Sequence, residues 1–414
     1  MTLPSPWMIL PFALLLAAMA FLSTLAPRWW LHHYPKVALG LGTVTLFYYL
    51  VVLRDLPRVW HTAHDYLSFI ALAGSLFIVS GGIHIDVRGQ ASPLKNVLFL
   101  LVGAVAANVL GTTGAAMVLV RPWMRMNRSR MAAHHIVFFI FIVANVGGCL
   151  TPIGDPPLFL GFLQGVPFWW ITRNAWPMWA LAVGLLLAMF YALDKANIAR
   201  KHNVAGTETA AGNWKFSGLA NLFFLAIILG AVFVRRPIFL REGLMLAAAL
   251  ASYLTTAKSV HSANQFNFHP LQEVVILFAG IFATMMPALD WLNFHAEKFA
   301  ASPGILFWSA GGLSAVLDNA PTYLCFLSQL LGATGAGTAA QLTAASPANL
   351  LAISVGAVFF GAATYIGNAP NFMVKSIATH ENAPAPRFLE YIWRFALPFL
   401  LPALIVTWLL FFRS

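Results

Sequence analysis

Residues 151–157 read TPIGDPP and residues 366–370 read IGNAP, and each segment interrupts a long apolar stretch. Proline lacks an amide hydrogen and glycine tolerates unusual dihedral angles, so both segments predict broken helices. A helix that breaks at membrane depth leaves backbone groups without partners. This is tolerated only where the backbone is buried in protein or lines a wet cavity. The two segments therefore predict discontinuous membrane helices around an internal site.

The composition places the whole chain in a membrane. Of its 414 residues, 60% are hydrophobic and 9% are charged, and the mean hydropathy is +0.78. Soluble domains carry about 25% charged residues. A spanning helix needs about 20 mostly apolar residues. Such runs occur near 7–26, 37–53, 66–84, 174–193, 216–234, 238–256, 270–289 and 388–412. The sequence predicts an all-α polytopic protein of the lipid bilayer, without a cofactor or nucleic-acid motif.

The interruptions occur in the same order in the two halves of the chain. Residues 109–114 (VLGTTG) correspond to residues 316–321 (VLDNAP), an offset of 207 (317 − 110). Residues 153–157 correspond to 366–370, an offset of 213 (366 − 153). Nearly equal offsets indicate an internal duplication. We therefore predict a first repeat over 1–194, a cytoplasmic linker over 195–215 and a second repeat over 216–414.

The positive charges indicate that the two repeats are inverted. We interpret 95–126 and 304–332 as re-entrant hairpins, and the first has an arginine-rich base. Residues 333–349, which follow the second, carry no charge. Lysine and arginine favour the cytoplasmic side, so the hairpins should enter from opposite sides. Each repeat then has about five transmembrane helices plus one hairpin, and sixteen of the 24 lysines and arginines lie inside.

Two acidic residues, Asp155 and Asp318, fall in the interruptions at predicted membrane depth, where a carboxylate is costly and is a functional candidate. An ionised carboxylate binds a small cation together with carbonyl and hydroxyl oxygens, and a desolvated one can exchange protons near neutral pH. The alternative role is to cap its own helix break. Further candidates are polar residues at the same breaks: Thr112, Thr113, Thr151, Asn319, Thr322, Thr364 and Asn368. Each threonine could instead bond back to its own helix.

Other titratable residues are expected outside the site. Asp65 and Asp194 are predicted in loops or near the ends of spans. His134 and His135 follow the arginine-rich hairpin base and are predicted to be interfacial loop histidines, although histidine can also sense pH near neutrality.

Three segments resemble the ion transporter superfamily, especially its NhaD-type sodium/proton antiporters. Residues 143–155 are similar to the first broken helix of that branch, 313–322 to its second hairpin, and 365–371 to its second broken helix. The resemblance implies an inner-membrane homodimer with a scaffold domain and a moving transport domain. It also implies that Asp155, Asp318 and Asn319 bind sodium or exchange ions. Antiporters of this branch place hydroxyl residues after the first aspartate, whereas this chain has Pro156-Pro157-Leu158.

The sequence leaves the transported species open. A sodium(cation)/proton antiporter, carrying sodium or lithium, is the leading hypothesis. The alternative is a transporter of citrate or another di- or tricarboxylate, although such carriers typically show Ser-Asn-Thr at both hairpin tips and this chain does not. A carboxylate would also repel a bound organic anion unless a cation lay between them. An intramembrane aspartate enzyme or a channel ranks lower, because neither explains duplicated broken helices.

Overall fold

The first half of the chain is a succession of helices. The computed structural model describes residues 3–87, 92–201, 214–234, 236–296 and 301–413. The helices of the first half are α1 (Pro6–Leu22), α2 (Pro27–Val52), α3 (Leu56–Gly81), α4 (Pro93–Met126), α5 (Ala133–Ile142), α6 (Pro156–Leu163) and α7 (Phe168–Lys201). Between α5 and α6 the chain makes a short 3-10 turn and an irregular loop that contains TPIGDPP.

The second half continues in the same way. Its helices are α8 (Asn221–Ala231), α9 (Leu240–Thr255), α10 (Lys258–Ala263), α11 (His269–Phe294), α12 (Pro303–Val316), α13 (Asn319–Thr334), α14 (Ala339–Ala345), α15 (Pro347–Phe360), α16 (Ala369–His380) and α17 (Phe388–Phe411). The segment IGNAP separates α15 from α16, as TPIGDPP separates α5 from α6. The predicted discontinuous helices are therefore present in both halves.

Seven helices of the described residues are long and apolar enough to cross a membrane, or eight if the bent pair α14–α15 is counted as one span. The seven are α2, α3, α4, α7, α11, α17 and the stretch Ala133–Leu150 that contains α5. We predicted ten spans and two hairpins. Fewer than ten helices are long enough to cross a bilayer, because several, such as α8 with 11 residues, are shorter than a bilayer requires.

Helix α4 is not one straight helix, because its two arms fold back on each other. Asn96 and Asn127 exchange two side-chain hydrogen bonds of 2.8 and 3.1 Å across its two ends. In a continuous helix these residues would lie about 46 Å apart, at 1.5 Å for each of 31 residues. The turn is at Gly111, whose φ of 72° and ψ of 157° are accessible to glycine and strained for other residues. The predicted break at residues 111–114 is therefore present, and its tip is Gly111.

The predicted linker is partly structured at its ends. Residues 195–201 continue helix α7, and residues 202–213 lie outside the described residues. Residues 214–217 form strand β2 (Trp214–Ser217), which pairs antiparallel with β1 (His84–Val87), so that Asp86 lies opposite Lys215. Helix α7 and strand β2 thus extend into the two ends of the predicted linker, and the two-stranded sheet is a small addition to the predicted all-α fold. The division of the chain at this linker stays a prediction. Strand pairing depends on a distant partner segment and left no local signal.

Two groups of packed helices surround the site. The first group contains α2, α3, α8, α9 and α11, in which α11 packs against α2 and α3, and α9 packs against α3 and α8. Helix α11 also contacts α13 of the second group. The interrupted elements form the second group: α12 and α13 pack against α15, α6 against α13, and α16 against α4. Residues 134–150 are buried almost without exception, so the first broken helix lies in the interior of the protein. The breaks in both halves thus meet inside the chain and not at its lipid-facing surface.

Candidate functional site

Asp155 lies where all four interruptions meet. It begins helix α6 but makes no capping bond to that helix, and only 1% of it is exposed. Its Oδ1 accepts hydrogen bonds from Thr112 Oγ1 at 2.7 Å and from Asn368 Nδ2 at 2.9 Å. Its Oδ2 accepts one from Asn319 Nδ2 at 2.6 Å. The three donors belong to the α4 tip, the second broken helix and the start of α13, and all three are uncharged.

Each helical tip is bound to a neighbouring broken helix by the same backbone contact. The Thr112 N–H donates to the Gly154 carbonyl at 2.8 Å, and the Asn319 N–H donates to the Gly367 carbonyl at 3.1 Å. The donors are 207 positions apart (319 − 112) and the acceptors 213 (367 − 154). These are the two offsets found between the interruptions in the sequence. Residues separated by these offsets therefore make the same backbone contact in the two halves.

The threonines of the broken helices also make equivalent contacts. Thr151 Oγ1 donates to the Asn108 carbonyl and Thr364 Oγ1 to the Ala315 carbonyl, each at 2.6 Å. Each hydroxyl also accepts the N–H of the glycine three residues later. These hydroxyls are therefore used to hold the broken helices against the tips. For Thr151 and Thr364 the geometry supports a structural role more directly than ion binding.

Asp318 and Asp155 have different surroundings, although both are buried. Asp318 is 7% exposed and accepts the N–H of Ala320 at 3.0 Å, so it caps helix α13. Thr322 Oγ1 donates at 2.9 Å to the Asp318 carbonyl within the same helix turn. Thr113 is partly buried beside Thr112 at the α4 tip. The alternative capping role considered for both aspartates is thus observed for Asp318, whereas Asp155 is bound by residues from other elements.

Two side-chain oxygens at the site accept no hydrogen bond from the described residues. They are Oδ1 of Asn319 and Oδ1 of Asn368, and both residues are at most 1% exposed. Buried oxygens without donors are costly unless a ligand, an ion or water satisfies them. Both amides already donate to the Asp155 carboxylate. The site therefore offers a carboxylate and two amide carbonyls, which is an oxygen set suited to a hard cation.

Two further asparagines, which were not among the candidates from the sequence, support this arrangement. Asn145 Nδ2 donates to Asn371 Oδ1 at 2.6 Å, and Asn145 Oδ1 accepts from Asn368 Nδ2 at 3.1 Å. Asn371 Nδ2 donates hydrogen bonds to the carbonyl oxygens of Gly361 and Thr364. Asn145 and Asn371 therefore join the two broken helices directly. The available signal was their position inside the two interrupted apolar segments, where a buried amide requires partners.

The backbone approaches itself too closely around Asp155 for larger residues. A Cβ atom at position 154 would collide with the carbonyl oxygen of Gly148 on the preceding turn. A Cβ at position 111 would lie 3.3 Å from the Ile153 carbonyl oxygen, in a backbone conformation that L residues rarely adopt. Glycine at these two positions lets the α4 tip reach the broken helix. This close approach brings Thr112 within hydrogen-bond distance of Asp155.

The prediction that His134 and His135 are interfacial loop residues was wrong, whereas Asp194 lies near the end of the span Phe168–Ala199, as predicted. All three are buried in helices α5 and α7. Asp194 Oδ1 lies 3.1 Å from His135 Nε2 and accepts a 2.9 Å bond from Arg130. Contacts between distant segments created this cluster, and no local pattern indicated it.

The same three residues are a possible metal-ligand set, since their ligand atoms lie within 4.8 Å of one another. The hydrogen bonding does not fit a metal. His135 Nδ1 accepts the Ala132 N–H at 3.2 Å, so a neutral ring carries its proton on Nε2, the atom that a metal would need. Asp194 Oδ1 is also already bound by Arg130. The cluster instead joins the base of α4 to α5 and α7, and we assign it no metal.

Comparison with known proteins identifies a family that matches almost the whole chain and relatives that match about two thirds of it. The CitMHS_2 family, described as "Putative citrate transport", matches residues 2–412. "Inner membrane protein YbiR" of Escherichia coli is 23% identical over 290 residues, or 66% of this chain and 73% of that protein. "Uncharacterized transporter Rv2684" of Mycobacterium tuberculosis is 22% identical over 314 residues, or 72% of each chain. Together with the apolar helices, these matches show a membrane transporter of the bacterial inner membrane.

Proposed function

The chain belongs to the CitMHS_2 family, and from that premise we propose that it is a secondary active transporter exchanging a monovalent cation for protons at Asp155. Sodium is the first candidate for that cation and lithium the second. The observation that carries the proposal is the Asp155 carboxylate, which is 1% exposed and hydrogen-bonded by three uncharged side chains. Such a group requires a positive partner, and a cation or a proton can supply it.

Cation and proton compete for the same oxygen atoms in this proposal. The ionised carboxylate binds the cation together with the free carbonyl oxygens of Asn319 and Asn368. A proton on Asp155 removes the charge that holds the cation. The amide groups can then rotate so that a carbonyl accepts the new O–H, since each amide carries both a donor and an acceptor. Binding of one species therefore expels the other, which is the requirement for exchange.

We further propose that residues 1–194 and 216–414 are inverted repeats that move by alternating access. The matched contacts of Thr112 with Gly154 and of Asn319 with Gly367 support the duplication. The folded-back arms of α4 support a re-entrant hairpin, and α12–α13 is the second one in this scheme. The moving part carries both hairpins and both broken helices. The homodimer implied by the superfamily resemblance stays a prediction.

Transport of citrate or a related organic anion is the second candidate, and the description of the family favours it. The surroundings of Asp155 favour it less, because a tricarboxylate needs positive or neutral donors. The two asparagine amides already donate to Asp155, and the third donor is the Thr112 hydroxyl. Citrate would then require a bound cation between its carboxylates and Asp155. Both candidates thus need a cation at this site, and they differ in whether an anion travels with it.

The deciding experiment uses purified protein in liposomes that contain a pH-sensitive dye and an imposed proton gradient. Sodium, lithium, potassium and citrate are added in turn, with the Asp155→Asn variant as the inactive reference. Proton movement driven by sodium or lithium alone, and absent in the variant, is the expected result. If no cation produces a response but citrate produces proton or charge movement, the exchange proposal is wrong and the organic-anion function replaces it.

A further inference from the structure

A cavity of about 350 Å³ lies between the two groups of helices. One wall is formed by α2, α3 and α11, and the other by α6 and α13. The second wall includes Leu160 and Gln164 of the α6 segment and Leu324 of α13. Helices α6 and α13 begin at the site itself, because Asp155 and Asp318 are the residues that immediately precede them. The cavity therefore lies along the two helices that start at the proposed ion site.

The distance between cavity and site follows from the helix geometry. Gln164 is nine residues after Asp155, which is about 14 Å along a helix at 1.5 Å per residue. Leu160 is five residues after Asp155, or about 7 Å. Both residues line the cavity. The residues that line the cavity thus extend from the end of α6 to Leu160, about one and a half turns of helix after Asp155.

The charged residues that line this cavity are three carboxylates and one guanidinium. Asp290 is neutralised, since it pairs with Arg58 at 2.8 Å and accepts the Tyr49 hydroxyl at 2.6 Å. Asp55 caps helix α3 by accepting the Arg58 N–H at 3.0 Å. The single cationic side chain is therefore engaged by Asp290. Asp55 and Asp65 are therefore the two lining carboxylates that form no ion pair with a cationic residue of the lining.

Asp65 is the most enclosed of these carboxylates. The sequence predicted it in a loop or near the end of a span, but it lies inside α3 and is 9% exposed. Its Oδ2 accepts a 2.8 Å bond from Gln164 Nε2 on the opposite wall. The imidazole of His61 lies 3.3 Å from the same oxygen and is 60% exposed. A partly buried, uncharged amide from the other wall thus donates to Asp65.

We infer that this cavity is the access vestibule of the transporter, and that Asp65 attracts cations and repels organic anions before they reach Asp155. The inference rests on the proposed cation exchange. In the vestibule, a cation gains the attraction of a carboxylate within low-dielectric walls, which raises its local concentration. A citrate ion meets the opposite field. The hydrogen bond from Gln164 to Asp65 also crosses between the two helix groups, so Asp65 faces the wall that carries the site.

The first test measures the sodium concentration that gives half-maximal proton exchange. We expect Asp65→Asn to raise it about three- to tenfold, the effect of one charge about 5 Å from the ion in a wet cavity. The maximal rate should stay within about twofold. As a charge-matched control, Glu390→Gln removes a partly exposed carboxylate that pairs with Arg394 outside the cavity, and should leave the sodium dependence unchanged.

Swapping the side chains of Asp65 and Gln164 tests whether the carboxylate acts from within the cavity. Asp65→Asn combined with Gln164→Glu moves the carboxylate to the opposite wall and keeps the amide–carboxylate hydrogen bond. We expect this double variant to restore the wild-type sodium dependence within about twofold. Failure to restore it in a folded protein, or a single Asp65→Asn variant with unchanged sodium dependence, would overturn the inference.

A second readout does not require transport. Ser328 lines the cavity on α13, so Ser328→Cys in a Cys325→Ser background places a thiol there, since Cys149 is fully buried. The rate at which the thiol is modified is measured on the detergent-solubilised protein with a cationic (trimethylammonium) and an anionic (sulfonate) methanethiosulfonate. Each rate is divided by the rate at which the same reagent reacts with free mercaptoethanol. We expect the cationic reagent to be favoured several-fold, and Asp65→Asn to lower that preference about threefold. Equal normalised rates of the cationic and anionic reagents would overturn the vestibule inference, even if Asp155 proved essential for transport. If the thiol prefers the cationic reagent but the protein transports no cation, only the proposed function is refuted.

Discussion

Replacing Asp155 with asparagine should remove transport and leave the fold intact, because the asparagine can keep most of the surrounding hydrogen bonds. The carbonyl oxygen of the introduced asparagine would accept from Thr112 and Asn368, as Oδ1 of the aspartate does now. Its amide would face Asn319, whose Oδ1 has no partner among the described residues and can turn to accept it. The loss of charge-assisted bonds costs about 1–2 kcal/mol, and removal of a buried charge offsets part of this.

The effect on ion binding should be much larger. A monovalent cation about 4 Å from the carboxylate gains about 4 kcal/mol at an effective dielectric constant of about 20. Removing the charge therefore weakens cation binding about a thousandfold, since each 1.4 kcal/mol is a factor of ten. Asp155→Ala, in contrast, leaves three buried donors without an acceptor. Each costs about 1–3 kcal/mol, so the alanine variant should lose both transport and stability.

Two measurements on the same samples separate these effects. Thermal unfolding is followed by the fluorescence of the 14 tryptophans, and sodium-driven proton movement is followed in liposomes. We expect the asparagine variant to unfold within a few degrees of the wild type and to show no exchange. Sodium should raise the unfolding temperature of the wild type and have no such effect on the variant. An Asp155→Asn protein that exchanges sodium at the wild-type rate would refute the assignment of this carboxylate.

The remaining predictions concern the fold, the second aspartate and the orientation. Cysteines in place of Asn96 and Asn127 should form a disulfide on mild oxidation, because the two side chains exchange hydrogen bonds; a continuous helix would prevent any cross-link. Asp318→Asn keeps a residue that caps helices well, so we expect normal stability with transport lost, and full activity would exclude that carboxylate from the mechanism. A cysteine at the exposed Ala340 should react with an impermeant reagent from outside, and one at the exposed Ser129 should not; labelling of both from one side would contradict the inverted repeat.

The breaks and the central carboxylate could be predicted because their causes are local. Proline and glycine at 151–157 and 366–370 cannot continue a helix, so the two segments are visible in the sequence. A carboxylate inside an apolar stretch is equally visible, which is why Asp155 was selected. The nearly equal offsets of 207 and 213 indicated that the breaks correspond between the two halves, but not which tip would meet which broken helix. The contacts of Thr112 with Gly154 and of Asn319 with Gly367 follow those offsets.

The residues that prediction missed depend on contacts between distant segments. Asp194 lies near the end of a span as predicted, but its burial against Arg130 and His135, about 60 residues earlier, was not predicted. Asp65 was assigned to a loop or span end, although its donor Gln164 lies 99 residues away. Charge beside an apolar run has two outcomes, exposure to solvent or pairing in the interior, and the local sequence does not distinguish them. Only the packed helices provide the partner that makes burial possible.

The different residues at equivalent positions in the two halves have a physical reason under the proposed duplication. Asp155 corresponds to Asn368 at the offset of 213 (368 − 155), and the two side chains form a 2.9 Å hydrogen bond. With aspartate at both positions, two carboxylates at that distance could not both ionise, so one would keep a proton. Asparagine in the second half replaces that conflict with a donor–acceptor pair and leaves one carboxylate free to exchange its proton for a cation. The asymmetry therefore favours a single exchanging carboxylate at this contact, and Asn368→Asp should create a proton-sharing pair that binds cations more weakly at neutral pH.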